Sequence, residues 1–120
     1  MSEDRVEMEP KEHEDVFNRN TALMVSMGKE GELNVMALDW KKLMVHEGEP
    51  VIRAQVAYSR YTHELLTEGV KEFTINIPSN KTQHAVDVAG FHSGRNTDKF
   101  KKASLETIPG ESTKVPTIKD

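Results

Sequence analysis

Between Ala89 and Phe100 the chain reads AGFHSGRNTDKF, which places a hydroxyl, a guanidinium and an ammonium around a glycine turn. His92-Ser93-Gly94-Arg95 has the composition of a tight turn, in which Gly94 spares the backbone a Cβ penalty. Asn96 or Thr97 is placed to cap a short helix over 98–103, whose first amides have no intrahelical partner. The Ser93 hydroxyl, bare amides and the Arg95 guanidinium converging at a helix start would seat an anion such as a phosphate ester, with Lys99 as a second local cation. The competing reading is a solvated helix-capping turn, and the residues alone favour it.

A second junction has similar chemistry. At Ser59-Arg60-Tyr61-Thr62 a strand over 51–57 gives way to a helix, so amides near 60–62 are expected to lack partners, beside two hydroxyls and a guanidinium. An ordinary capped helix with Arg60 in solvent would look the same. Along a third stretch, an ideal strand puts Asn34, Leu38 and Trp40 on one face and Val35, Ala37 and Asp39 on the other. Trp40 is the only tryptophan, and core packing is the usual role of such a residue. The five histidines (13, 46, 63, 84 and 92) show no His-Glu-x-x-His spacing, and surface positions are expected for them, with His92 able to donate to the adjacent turn when protonated.

The elements that must position these groups follow from composition and order. A chain of 120 residues is the size of one domain, here read as an acidic lead-in over 1–20 and a folded unit over 21–120. Its net charge of −4 and scattered Lys and Arg argue against a nucleic-acid partner, which needs a concentrated basic face. The absence of cysteine excludes disulfides, thiolate nucleophiles, iron–sulfur clusters and Cys-based zinc. No apolar run is long enough for a bilayer helix, and the first residues are acidic, so no membrane partner and a cytoplasmic location are expected.

Within the lead-in, Glu12–Asn18 is a candidate helix packing Val16 and Phe17 on the body. Thr21–Met27 and Leu33–Trp40 form a hairpin around Gly28-Lys29-Glu30-Gly31. Lys41–Gly48 reads as a polar connection, a helical turn or irregular edge, before Pro50 opens a strand over 51–57. Ser59–Glu68 is a helix with Ser59 or Thr62 as cap and Gly69 as stop. Lys71–Ile77 alternates as a half-buried strand with Phe73, Ile75 and Ile77 on one side. Ser79–Ala89 is a second helix, capped by Ser79 and stopped by Gly90, and Leu105–Ile108 and Val115–Ile118 are short strands split by Pro109-Gly110. This order lacks strict βαβ alternation, and no Gly-x-Gly-x-x-Gly or Walker loop occurs, so a small barrel with inserted helices fits better than a Rossmann or P-loop fold.

HSGRNTDKF resembles the Ser-Gly-Arg-(x)-(x)-Asp-Lys-Phe segment of the flavin reductase-like, FMN-binding split-barrel proteins, the group that includes flavoredoxin. GELNVMALDW, SRYTHELL, KEFTINIP and VPTIKD match further family segments in the expected order, so the likeness runs from Thr21 to Asp120. It implies a mainly β split barrel with two or three short inserted helices. It also implies an FMN cofactor (FAD as the alternative), NAD(P)H as reductant and a homodimer. By the same resemblance Ser59 and Arg60 lie on the flavin phosphate, with Thr62 a cap that also touches it. Ser93, Gly94, Arg95 and Lys99 serve that phosphate or close the site from a partner subunit. Asn34, Ala37, Leu38, Asp39 and Trp40 run along the flavin, where small Ala37 permits close approach and Asp39 replaces the Ser or Thr of many relatives. No catalytic side chain is implied, since the flavin carries the hydride chemistry. A non-catalytic electron carrier and a member without cofactor are the alternatives. Family members typically continue beyond the Pro-x-Ile strand, so this resemblance also leads one to expect a barrel completed by a second subunit or left with an open edge.

Overall fold

The central strand is apolar on both sides. In the computed structural model, which describes residues 17–18, 20–80, 82–91, 93–94 and 98–119, β1 (Ala22–Met27) lies between β2 (Leu33–Leu38) and β5 (Phe73–Asn76) in an antiparallel sheet of order β2-β1-β5. Ala22 to Val25 are wholly buried because both faces of β1 are covered. Leu23 and Val25, with Val35 across the sheet, pack under α2 (His84–Phe91) through Ala85 and Ala89. Met24, Met36 and Leu38 face the other way, against Leu66 of α1 (Tyr61–Glu68) and Ile75. The expected first hairpin is present, its loop closed by the Gly28 amide on Glu32 O at 2.8 Å and turned by Gly31 at φ 86°.

Several boundaries differ from the expectation. Lys41–Gly48 is not a polar connection: Lys41–His46 forms β3, paired with β4 (Glu49–Ala54) in a separate two-stranded ribbon. Glu47 (φ 51°) and Gly48 (φ 81°) supply the two left-handed residues of a tight hairpin turn. Pro50 therefore lies inside β4, opposite Val45, rather than opening it.

The expected alternation in β5 exists, but Thr74 and Asn76 are its more buried residues. They are polar because they hold the C-terminal segment. Thr74 Oγ1 donates to Pro116 O at 2.8 Å, Asn76 Nδ2 donates to Leu23 O, and Asn76 Oδ1 accepts from the Ile118 amide at 3.0 Å. That segment carries β7 (Thr117–Ile118), paired with β6 (Thr107–Ile108); both are shorter than the sequence suggests.

Helix α2 starts at His84, not after Ser79, because Ser79 and Thr82 bond each other in a local turn that competes with helix. It also runs through Gly90 to Phe91, so Gly90 is no stop. Helix α3 (Lys99–Lys102) is capped by Asp98, whose carboxylate accepts from the Lys101 amide; the expected caps Asn96 and Thr97 lie outside the described residues. Gly69 does end α1, its amide on Leu65 O at 2.7 Å. Of the lead-in, Phe17 is buried with the Lys41 ammonium 5.1 Å from its ring centre, while Val16 lies outside the described residues.

The loop before β7 is tied down by one carboxylate. Glu72 Oε1 accepts from Thr113 Oγ1 at 2.6 Å and from the Lys114 amide at 3.0 Å, and these bonds, the hydroxyl first, hold its carboxyl below the usual carboxylate range. The stabilisation is complete above the unfolded-state pKa of about 4.3 and disappears as pH falls through the depressed folded value. Glu72→Gln is expected to lower the thermal midpoint at neutral pH, and the gap from wild type should close on acidification, as measured by circular-dichroism melts across pH 2–7.

Candidate functional site

Asn34, second in β2, is 3% exposed and donates from Nδ2 to Thr62 Oγ1 at 2.9 Å. Thr62 is second in α1 and 1% exposed, so this buried bond fixes the first turn of the helix to the sheet. Thr62 is thus not the helix cap. Nor is Ser59: the capping position is Arg60, in extended conformation with no side-chain bond, and its amide is satisfied by Ala57 O at 3.0 Å.

Gly94 lies directly on this pair. A Cβ placed there would stand 2.1 Å from Asn34 Oδ1 and 2.6 Å from Tyr61 Cδ2, well inside contact distance. The turn at 93–94 and the strand-to-helix junction at 59–62 are therefore packed together rather than splayed. Only a residue without a side chain admits that approach. Cross-strand from Asn34, the fully buried Ser26 hydroxyl has no hydrogen-bond partner, leaving polar capacity unused beside the site.

Lys99 departs from its ordinary role. The sequence leaves it solvated or on a ligand; instead it is 5% exposed, and Nζ donates to Val35 O at 2.8 Å and Ala89 O at 3.1 Å. The ammonium thereby staples α3 to β2 and to α2, closing the loop that carries Ser93 and Gly94. Burial, and then the nearby positive charge of Arg60, push its pKa down to about 8. Among the described residues no carboxylate forms an ion pair with Lys99 or Arg60. Two neighbouring cations without a counter-charge make a place where an anion gains and a further cation loses.

The remaining sequence candidates divide. Ser59 is exposed and Ser93 half-buried near the junctions, while Arg95 and His92 lie outside the described residues. Ala37 is half-buried beneath Gly90, and the Leu38 side chain is core, 2% exposed, so only its main chain is available to a ligand. The Asp39 carboxylate accepts from the Thr21 hydroxyl. Trp40 is not a core residue: it is 76% exposed, held through its carbonyl by the Gln55 amide at 2.8 Å. Sequence reasoning missed Tyr61 as the wall against Gly94 and the Asn34–Thr62 bond. A buried pair 28 residues apart leaves no local signal. Among the described residues no cluster of His, Asp and Glu could hold a metal ion, and no helix is long and apolar enough to cross a membrane.

Residues 15–120 match the family described as flavin reductase like domain. A protein of Pyrococcus abyssi is 32% identical over 105 residues, covering 88% of this chain and 58% of its own length. The structure of flavoredoxin from Desulfovibrio vulgaris (Miyazaki F) is 30% identical with a TM-score of 0.72, covering 82% of this chain and 53% of that one. An FMN-binding domain of a flavin reductases-like enzyme from Shewanella baltica OS155 has a TM-score of 0.74 at 19% identity, covering 92% and 58%. The chain thus spans just over half the length of these relatives. Its fold is the mainly β split barrel of such structures, with three short helices among the described residues.

Two outcomes follow from the packing. Gly94→Ala is expected to cost about 1–3 kcal/mol, as overpacking does, in urea unfolding, and to cost less in an Asn34→Ala background, where the nearer of the two obstructing side chains is gone and only Tyr61 remains. A depressed lysine pKa means that the unfolded chain binds the proton more tightly, so stability should rise as pH climbs from about 8 toward the unfolded value of about 10.4. Lys99→Met should flatten that rise, measured as the urea midpoint against pH.

Proposed function

The chain belongs to the flavin reductase-like domain family, and on that premise we propose that it binds FMN and passes hydride equivalents from NAD(P)H through it, working as a homodimer. The observation that carries this reading is the meeting of the two junctions at Asn34, Tyr61 and Gly94 beside the charges of Arg60 and Lys99, which no carboxylate among the described residues pairs. The residues present fit the phosphate end of such a cofactor. The ester brings the negative charge that the Arg60–Lys99 pair lacks, and its oxygens accept from the guanidinium and from the hydroxyls of Ser59 and Ser93.

When bound, the flavin supplies the two-electron chemistry. The chain's own groups bind and orient. Arg60, exposed on its long side chain, would bond the ester. Lys99, spent on two carbonyls, acts as a fixed charge behind it. The Asn34–Thr62 bond keeps the helix start and the strand in register so that the seat does not open. With the Asp39 carboxylate taken up by Thr21 and its charge offset by nearby Lys41, the main chain over 38–40 supplies the polar contacts to the ring, and Trp40 presents an exposed indole beside them.

Trp40 also gives the assay, since the only indole of the chain should lose fluorescence as flavin binds. Arg60→Ala is expected to weaken FMN by about tenfold or more, the scale of one charge-assisted hydrogen bond, while riboflavin, which has no phosphate, changes little. Equal losses for the two ligands would remove the phosphate role. NAD(P)H should bleach the bound flavin's visible absorbance. Bleaching by dithionite alone would make the protein an electron carrier rather than a reductase.

A further inference from the structure

Among the described residues Tyr58 is the most exposed large hydrophobic side chain, at 89%. It stands at a corner of the chain. The Arg60 amide donates to Ala57 O at 3.0 Å, so Tyr58 and Ser59 are the two central residues of a turn that joins β4 to α1. Such corners ordinarily hold Gly, Pro, Asn, Asp or Ser, and a tyrosine placed there adds almost nothing to the core. The ring is nevertheless held. It lies against the imidazole of His63 in the first turn of α1, with ring centres 4.7 Å apart and planes at 54°, a tilted arrangement that aromatic pairs favour. The His63 amide in turn donates to Arg60 O at 3.0 Å, so Tyr58, Arg60 and His63 share one short backbone unit. Arg60 is exposed and its charge is felt at Lys99.

We propose that Tyr58, braced by His63, is a stacking platform for the adenine ring of an adenosine phosphate whose phosphate is held by Arg60. Two residues of chain span at most about 7 Å, so the phenol and the guanidinium stand within the reach of one ribose. An anion alone would use the cation and leave the phenol idle. An uncharged apolar group would use the phenol and leave the cation idle. A planar base carrying a phosphate uses both, as in base-binding surfaces that set aromatic rings beside cations. The bracing contact fixes the ring before the base arrives, which lowers the ordering cost of binding. The guanidinium has five donors in a fork, enough for a flavin phosphate and an adenosine phosphate together. FMN has no adenine, so Tyr58 is the residue that tells a dinucleotide from a mononucleotide. Two sources carry the required group, FAD as cofactor and NAD(P)H as reductant.

The inference rests on the anion seat of the preceding proposal and not on electron transfer. In the full chain, Tyr58→Ala should leave the FMN dissociation constant, read from Trp40 fluorescence, unchanged. It should raise that of FAD, or that of ADP-ribose titrated by calorimetry onto the FMN-loaded chain, about tenfold, the scale of one lost base stack. A loss for FAD assigns the platform to the cofactor, and a loss for ADP-ribose assigns it to the reductant. Tyr58→Phe keeps the ring and should keep the binding, whereas His63→Ala removes the brace and should forfeit part of it. FAD and ADP-ribose both indifferent to Tyr58→Ala, with FMN still bound, overturn the platform and leave the preceding proposal standing. Equal losses of FMN and FAD overturn it as well, since the phenol would then serve the part the two flavins share. A chain that binds no flavin fails the preceding proposal first. AMP titrated onto that flavin-free chain then scores the platform separately: binding that Tyr58→Ala weakens supports it, and no binding overturns it.

Discussion

A buried ammonium resting on two main-chain carbonyls is the constraint from which the candidate site follows. Placing Lys99 away from water carries a large desolvation cost, and its bonds to Val35 and Ala89 offset only part of it. The charge of Arg60 adds to the deficit. In return the ammonium joins a strand, the end of one helix and the start of the next, and so fixes both ends of the loop that holds Gly94. With its ends fixed, that loop can lie on Asn34 and Tyr61 at a distance no side chain would allow. The two helix-start regions of the chain then share one small volume. Among the described residues what remains uncompensated is positive charge, and the ligand that relieves it most is a compact anion. Stability and binding are linked here through the same lysine.

The sheet provides the rigidity that this arrangement needs. β1 is covered on both faces, and β2 passes alongside it in full register. Successive residues of β2 consequently alternate between the two cores, and Asn34 is the one polar residue of that strand. β5 uses its buried polar residues differently. Thr74 bonds the carbonyl of Pro116 and Asn76 the amide of Ile118, so the C-terminal segment is attached by hydrogen bonds as well as by apolar contact.

Much of this was legible beforehand, and the misses have physical causes. The first hairpin followed from two glycines flanking charged residues between apolar runs, and the helix over 61–68 from its spacing and the glycine after it. The burial of the polar face of β5 was not legible, because alternation reveals which residues share a side, never which side is covered. Strand β3 was missed because LysLysLeuMetValHis has neither clean alternation nor a glycine pair ahead of it; its turn uses Glu47, a residue rarely found at positive φ. Gly90 resembled a helix stop but serves as a small residue within α2 above Ala37. Trp40 looked like core by type alone. In the site, Gly94 and Arg60 were visible as local chemistry, whereas the burial of Lys99 depends on strands 64 residues away, which no short window contains.

The account stands on a phosphate-bearing flavin being held by unneutralised charge at a fixed seat. Its most direct test is the absorption spectrum of the purified chain after equilibration with FMN and exhaustive dialysis. A retained yellow chromophore near one flavin per chain is the expected result. A colourless protein that takes up none of the added FMN would contradict it.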